Sequence, residues 1–193
     1  MPKIVAVSKT FGMEKILPLL TYGHTDYGEN KIQEALDKWM AVKEKNESIK
    51  LHLIGKLQSN KVKFAVKIFD YIHSLDTEKL ANKLAEEQIK QNKKIKLFIQ
   101  INIGNEEQKS GVKKNDIVDF YQYCINLNLN VIGTMCIPPI AKESQNFFLE
   151  MNKINEQLNL SDLSMGMSED YLEAVKYEST FVRIGSKIFG KRG

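Results

Sequence analysis

Residues 70–103, DYIHSLDTEKLANKLAEEQIKQNKKIKLFIQINI, hold one full turn of the pattern that decides the fold. DYIHSLD and KLFIQINI are short, apolar and β-rich, and between them Leu80, Leu84 and Ile89 recur at helical spacing. A strand, a helix and a second strand follow in that order. Parallel strands need such a crossover, because each strand must be followed by a covering helix before the next can align beside it.

Outward from this unit the alternation repeats. KIVAVSK, TDYGEN and KLHLIG precede it, and NVIGTMCI, DLSMGM and FVRIGS follow, which makes eight β-rich runs. Helical spacing returns at Ile32, Ala35, Leu36 and Trp39. It returns again at Ile117, Phe120, Tyr121 and Cys124, and at Phe147, Phe148, Met151, Ile154 and Leu158. Eight such units predict an α/β fold of the (β/α)8 TIM-barrel class in a single domain over residues 1–193, close to the lower limit of about 200 residues for that fold. An open doubly wound sheet is the rival, but its G-x-G-x-x-G fingerprint after the first strand is absent.

Composition narrows the function classes. Hydrophobic residues make up 42% and charged residues 27%, as in ordinary globular chains. No apolar run approaches the roughly 20 residues of a membrane helix, and MPKIVAVSKT has neither the length nor the cleavage site of a signal peptide. A cytoplasmic protein without a membrane partner is expected. Cys124 and Cys136 lack metal-ligand spacing and read as core thiols; His24, His52 and His73 also lack it. The net charge of +4 is modest, and the lysines of QNKKIK and LQSNKVK read as solvated helix ends rather than a nucleic-acid patch.

In a parallel barrel the active site lies at the carboxyl ends of the strands, so the polar residues that end apolar runs are the candidates. They are Lys9, Asn30, His52, Ser74, Ser168, Arg183 and Ser186. Lys9 follows Ile4, Val5, Ala6 and Val7, where desolvation would lower its pKa and make it a nucleophile toward an aldehyde. Position alone favours an exposed lysine just past a strand end. FVRIGSKIF places Gly185 and Ser186 at a tight turn, and DLSMGMSED makes a second turn around Gly166 and Ser168. Such turns offer unpaired N–H groups to an anion, so together they outline a phosphate cup. Plain alternatives stand beside each. Ser168 before Glu169, Asp170, Leu172 and Val175 is a good N-cap, Asn30 stands three residues before Gln33 in capping position, and His52 fits a core histidine.

The chain resembles the pyridoxal 5'-phosphate (PLP) homeostasis proteins, which look like the barrel domain of alanine racemase without its second domain. AVSKT, YGEN..QE, HLIGKLQSNK, IHSLD, Q.N...E.QKSG, GTMCIPP, LSMGMSEDYLEAV and STFVRIGSKIFGKR carry the resemblance in order along the whole chain. It implies a fold-type III PLP barrel with PLP joined to Lys9 as a Schiff base. Ser168, Gly185 and Ser186 would hold the phosphate, and Arg183 would approach the pyridine nitrogen. Asn30 and His52 would lie around the ring, Met165 beside it, and Ser74 near the phosphate or ring edge. Relatives usually carry a helix before the first strand, which this chain is expected to lack because Lys9 follows only eight residues.

Arg183 can only donate, so it cannot accept a hydrogen bond from a protonated pyridine nitrogen, and the ring becomes a weaker electron sink. The expectation is therefore a protein that binds, buffers or delivers PLP, as a monomer or weak homodimer, with PLP-dependent apo-enzymes as recipients. An amino-acid racemase of the alanine racemase type is the alternative, and it needs an acid/base residue on each face of the imine. A barrel enzyme forming a Schiff base with a phosphorylated sugar is a third reading.

Overall fold

The computed structural model describes residues 1–139 and 144–190. Its strands are β1 (Lys3–Val7), β2 (Asp26–Glu29), β3 (Lys50–Leu53), β4 (Tyr71–Leu75), β5 (Lys96–Ile101), β6 (Val131–Cys136), β7 (Asp162–Met167) and β8 (Phe181–Ile184). Each lies inside one of the eight apolar runs. They hydrogen-bond in sequence order, and β8 closes onto β1, with Lys3 to Ala6 opposite Phe181 to Ile184. The helices are α1 (Met13–Thr21), α2 (Ile32–Lys45), α3 (Val62–Ile68), α4 (Glu78–Lys90), α5 (Ile117–Asn126), α6 (Ser144–Gln157), α7 (Tyr171–Lys176) and α8 (Ser186–Phe189). Lys191 and Arg192, which end the last family-like motif, lie outside the described residues.

The two faces of each strand divide the core. Ala6, Tyr27, Leu97 and Cys136 pack outward with Trp39, Leu84, Cys124 and Phe148 of the helices. Val5, Tyr71, Phe98, Met135 and Phe181 form a separate cluster inside the barrel. Complete burial of one such side chain contributes about 1.5–3 kcal/mol, which is why alternation along a strand selects its register so firmly. Both cysteines are buried, and burial pushes each thiol up to about 12. No helix among the described residues is long and apolar enough to cross a membrane.

Several apolar positions of the sequence pattern are not in the core, Ile4, Leu172 and Ile89 among them. Ile89 is 81% exposed, while the buried stripe of α4 runs through Leu80, Ala81, Leu84 and Gln88. Ile89 stands five residues from Leu84, off the three-to-four spacing of a helix face. Gln88 takes the inward place because its amide is satisfied there, donating to the Leu84 carbonyl and accepting from the Ile95 N–H.

Gly166 breaks the alternation of β7. Its φ is +90°, and a Cβ there would lie 2.6 Å from Ala174 Cβ in α7. The reversal lets Met167 and Ser168 reach the carboxyl face while α7 packs against the strand. Gly166→Ala is expected to lower the unfolding free energy by about 2 kcal/mol or more in urea titration, from positive φ and the clash together.

Candidate functional site

At the carboxyl ends of the strands lies a recess of about 730 Å³. Its walls come from the ends of β1, β2, β3, β6, β7 and β8. Val7, Phe11, Ile54, Ile137 and Met167 supply its apolar surface, and Lys9, Asn30, Ser168, Glu169, Arg183, Gly185 and Ser186 its polar surface. Six of the sequence candidates therefore meet: Lys9, Asn30, Ser168, Arg183, Gly185 and Ser186.

Three others do not line this recess. Met165 faces outward into the helical layer, in step with Leu163, and Met167 lines the recess instead. Met165 follows the regular alternation, whereas the reversed backbone at Gly166 turns Met167, which has the same parity, into the recess. His52 lies in the barrel interior between Asp26 and His73, stacked on Tyr71 with ring centroids 4.2 Å apart. Ser74 is buried in β4 with no hydrogen-bond partner for its hydroxyl among the described residues.

The capping alternatives also resolve. Asp170 is the N-cap residue of α7, and its Oδ1 accepts from the Met167 N–H at 2.7 Å. The Ser168 Oγ accepts instead from the Gly185 N–H at 3.2 Å, which ties the ends of β7 and β8 together. Helix α2 starts after Lys31, without a side-chain cap from Asn30. At α8 the first N–H groups, beginning with Ser186, have no intrahelical partner, and they border the recess beside Ser168.

The loop that carries Lys9 is clamped from α2. Lys38 Nζ donates to the carbonyls of Ser8 (2.9 Å) and Phe11 (3.2 Å), and pairs with Glu29 at 2.7 Å. Glu29 Oε1 also accepts from Ser8 Oγ (2.7 Å) and Trp39 Nε1 (2.9 Å). Thr10 turns the chain with φ +68° and donates its N–H to Glu34. Ser8, Glu29 and Lys38 are absent from the sequence candidates. A usable signal was Glu29 itself, a carboxylate ending the run TDYGEN, since a buried acid demands partners.

Arg183 is 4% exposed. Its Nη1 donates to the Ser164 carbonyl (2.7 Å) and Oγ (2.6 Å), and its Nη2 to the Cys136 carbonyl (2.8 Å). Ser164 Oγ contacts His73 Nδ1 at 2.8 Å, His73 Nε2 contacts His52 Nδ1 at 3.0 Å, and His52 Nε2 contacts Asp26 Oδ1 at 3.0 Å. Burial, and the positive groups near it, hold His73 well below its usual range; burial also lowers His52. Burial by itself raises Asp26, but hydrogen bonds from His52 and Thr25 and the charge of Lys3 outweigh it and bring the carboxyl down to about 2.

A smaller recess of about 360 Å³ at the opposite end gathers Lys43, Lys50, Lys93, Lys94 and Lys96 around Asp70. Lys43 pairs with Asp70 and donates to the Ile68 carbonyl, Lys93 donates to the Lys67 carbonyl, and Lys96 donates to the Tyr71 hydroxyl at 3.3 Å. The lysines of QNKKIK thus belong largely to the barrel floor.

The alanine racemase N-terminal domain family model matches residues 1–193. The "pyridoxal phosphate homeostasis protein" of Pasteurella multocida is 39% identical, covering 98% of this chain and 86% of that protein. Its namesake in Aquifex aeolicus is 36% identical over 98% and 87%. This chain belongs to the pyridoxal phosphate homeostasis protein family. Among solved structures, PipY of Synechococcus elongatus without PLP superposes with a TM-score of 0.91 at 32% identity, over 98% of this chain and 93% of that one. PipY with PLP bound gives 0.85 at 31%, over 98% and 92%. The alanine racemase of Bartonella henselae shares the fold, with a TM-score of 0.75 at 18% identity over 99% of this chain and 56% of that one.

Two measurements check these interactions. Lys38→Met leaves Glu29 buried without its cation and should cost about 3 kcal/mol in urea unfolding. His52 and His73 have depressed folded-state values, so the unfolded chain binds more protons below the ordinary value of 6.5. Stability is thus full above that pH and falls as pH drops from 7 to 5, by at most about 1.4 kcal/mol per pH unit for each histidine. His73→Phe should make that slope shallower.

Proposed function

We propose that this chain binds pyridoxal 5'-phosphate in the carboxyl-face recess, joined to Lys9, and that it holds or delivers the cofactor rather than turning over a substrate. One observation carries the reading: the recess places a clamped lysine on the β1 side and the Ser168, Gly185 and Ser186 turn on the β7 and β8 side of the same space. The donor set fits the group. PLP supplies an aldehyde that condenses with a primary amine, with loss of water, and a conjugated ring that draws electrons from whatever amine is attached.

The chain's own residues divide the work. The Lys38 and Glu29 clamp fixes the loop from Ser8 to Phe11, so Lys9 enters the recess from an ordered backbone. Ser168 and the α8 N–H groups offer neutral donors to a phosphate, and the Gly185 turn brings that backbone close. Val7, Ile54 and Met167 exclude water from the space between. Arg183 meets the ring as a donor only, and so favours a pyridine nitrogen left unprotonated. The ionisable side chains lining the recess among the described residues are Lys9, Glu169, Asp170 and Arg183. No tyrosine or histidine stands opposite Lys9 in that set, which supports a holding role over racemisation. PLP-dependent apo-enzymes in the cytoplasm are the proposed recipients.

Mixing purified protein with PLP should produce a visible absorption band that is lost in Lys9→Ala. Ser168→Ala should keep the band but weaken binding roughly tenfold, as expected for a lost hydrogen bond to a charged group. An unchanged band in Lys9→Ala would sink the assignment.

A further inference from the structure

Asp26 and Arg183 face opposite ends of the barrel interior, and an unbroken line of hydrogen bonds through Ser164, His73 and His52 joins them. A guanidinium only donates and an ionised carboxylate only accepts, so both ends of the line have a fixed sense. With neutral imidazoles between them, one direction of donation accounts for every link. Arg183 donates to Ser164 Oγ, and the Ser164 hydroxyl donates to His73 Nδ1. His73 Nε2–H then donates to His52 Nδ1, and His52 Nε2–H to Asp26 Oδ1. The reverse direction would require the Asp26 carboxylate to donate. Both histidines are thus Nε2–H tautomers.

The surroundings of the line leave little room for another arrangement. His52 is stacked on Tyr71, His73 is stacked on Phe98 at 4.3 Å, and Phe181 lies against both rings. Among the described residues the charged and titratable groups that face the line are Lys3, 3.4 Å from Asp26, with Asp70 beyond His52 and Cys136 and Asp170 near Arg183. The direct hydrogen-bond partners of Arg183 among the described residues are all neutral: the Ser164 carbonyl and hydroxyl and the Cys136 carbonyl. These bonds commit both Nη1 protons and one Nη2 proton. One Nη2–H and the Nε–H have no other partner among the described residues, and they are left to serve the recess that Arg183 lines.

We infer that Asp26, His52, His73 and Ser164 are positioning residues for Arg183, a line of single polarity that sets which guanidinium protons face the ligand. For the identity of that ligand the inference rests on the PLP reading above. Each donor in the line polarises the next, so the Asp26 carboxylate acts, beside Asp170 at the recess, as a remote counter-charge of a cation whose hydrogen-bond acceptors are neutral.

The test begins without ligand. Nitrogen-15 spectra of the histidine rings in the apo protein should show His52 and His73 as neutral Nε2–H tautomers from pH 8 to pH 6. His73→Phe and Ser164→Ala should each move the Arg183 Nε–H resonance. An Nδ1–H tautomer on either ring, a charged ring, or an unmoved Arg183 resonance in both variants would overturn the inference. With PLP added, His73→Phe or Ser164→Ala should shift the pH midpoint of the visible band by about half a unit or more. Neither variant should add a shift to Arg183→Lys. An undiminished additional shift in that background would also overturn it, since the effect would then not pass through Arg183. Asp26→Asn, which retains an acceptor oxygen, should perturb the midpoint less than Asp26→Ala. If His73→Phe does not fold by circular dichroism, Ser164→Ala carries each comparison. If wild-type protein gives no band, the PLP reading fails, and the ring tautomers and the Arg183 resonance decide this inference.

Discussion

A closed barrel of eight parallel strands permits no free edge, and it turns every second side chain of each strand into a space too narrow for water to satisfy it. Everything else in this structure answers to that constraint. Where the inward residue is apolar, as at Val5, Phe98 and Met135, burial alone suffices. Where it is polar, a partner must be found within the barrel. Asp26, His52, His73, Ser164 and Arg183 find one another and span the interior between the floor and the ligand face.

Closure also brings the carboxyl ends of all strands to one face, so residues more than 170 positions apart become neighbours. Lys9 and Ser186 line one recess because β1 and β8 are hydrogen-bonded strands. The outward faces then serve the loops. Glu29 points away from the barrel into α2, where Trp39, Lys38 and Ser8 converge on one carboxylate oxygen and hold the first loop. Ordering that loop before a ligand arrives reduces the entropy lost on binding.

The sequence was legible where the physics is local. All eight strands announce themselves as short apolar runs, and five residues chosen by the strand-end rule, Lys9, Asn30, Ser168, Arg183 and Ser186, stand around one space with Gly185 of the predicted turn. Three candidates fall outside the recess. Met165 faces the helices in step with Leu163, and Met167 enters the recess instead because Gly166 resets the alternation, an event set by the φ of one residue and the nearness of Ala174. His52 sits one layer below the strand ends, where pairing with His73 and Asp26 satisfies it, and no spacing in the sequence links residues in three separate strands. Ser74 ends its run as the rule asks, yet it is buried in β4 away from the recess walls. The Glu29 and Lys38 clamp was hidden for a similar reason, since a helix charge reads as solvated until the loop beneath it is placed.

The central claim is that one lysine among many is set apart by its place at the end of β1. Borohydride reduction of the protein after treatment with stoichiometric PLP, followed by peptide mass spectrometry, tests it most directly. The account predicts the reduced pyridoxyl group on the peptide containing Lys9, with the floor lysines Lys43, Lys50, Lys93, Lys94 and Lys96 unmodified. Label spread over surface lysines, or concentrated on the floor, would contradict it.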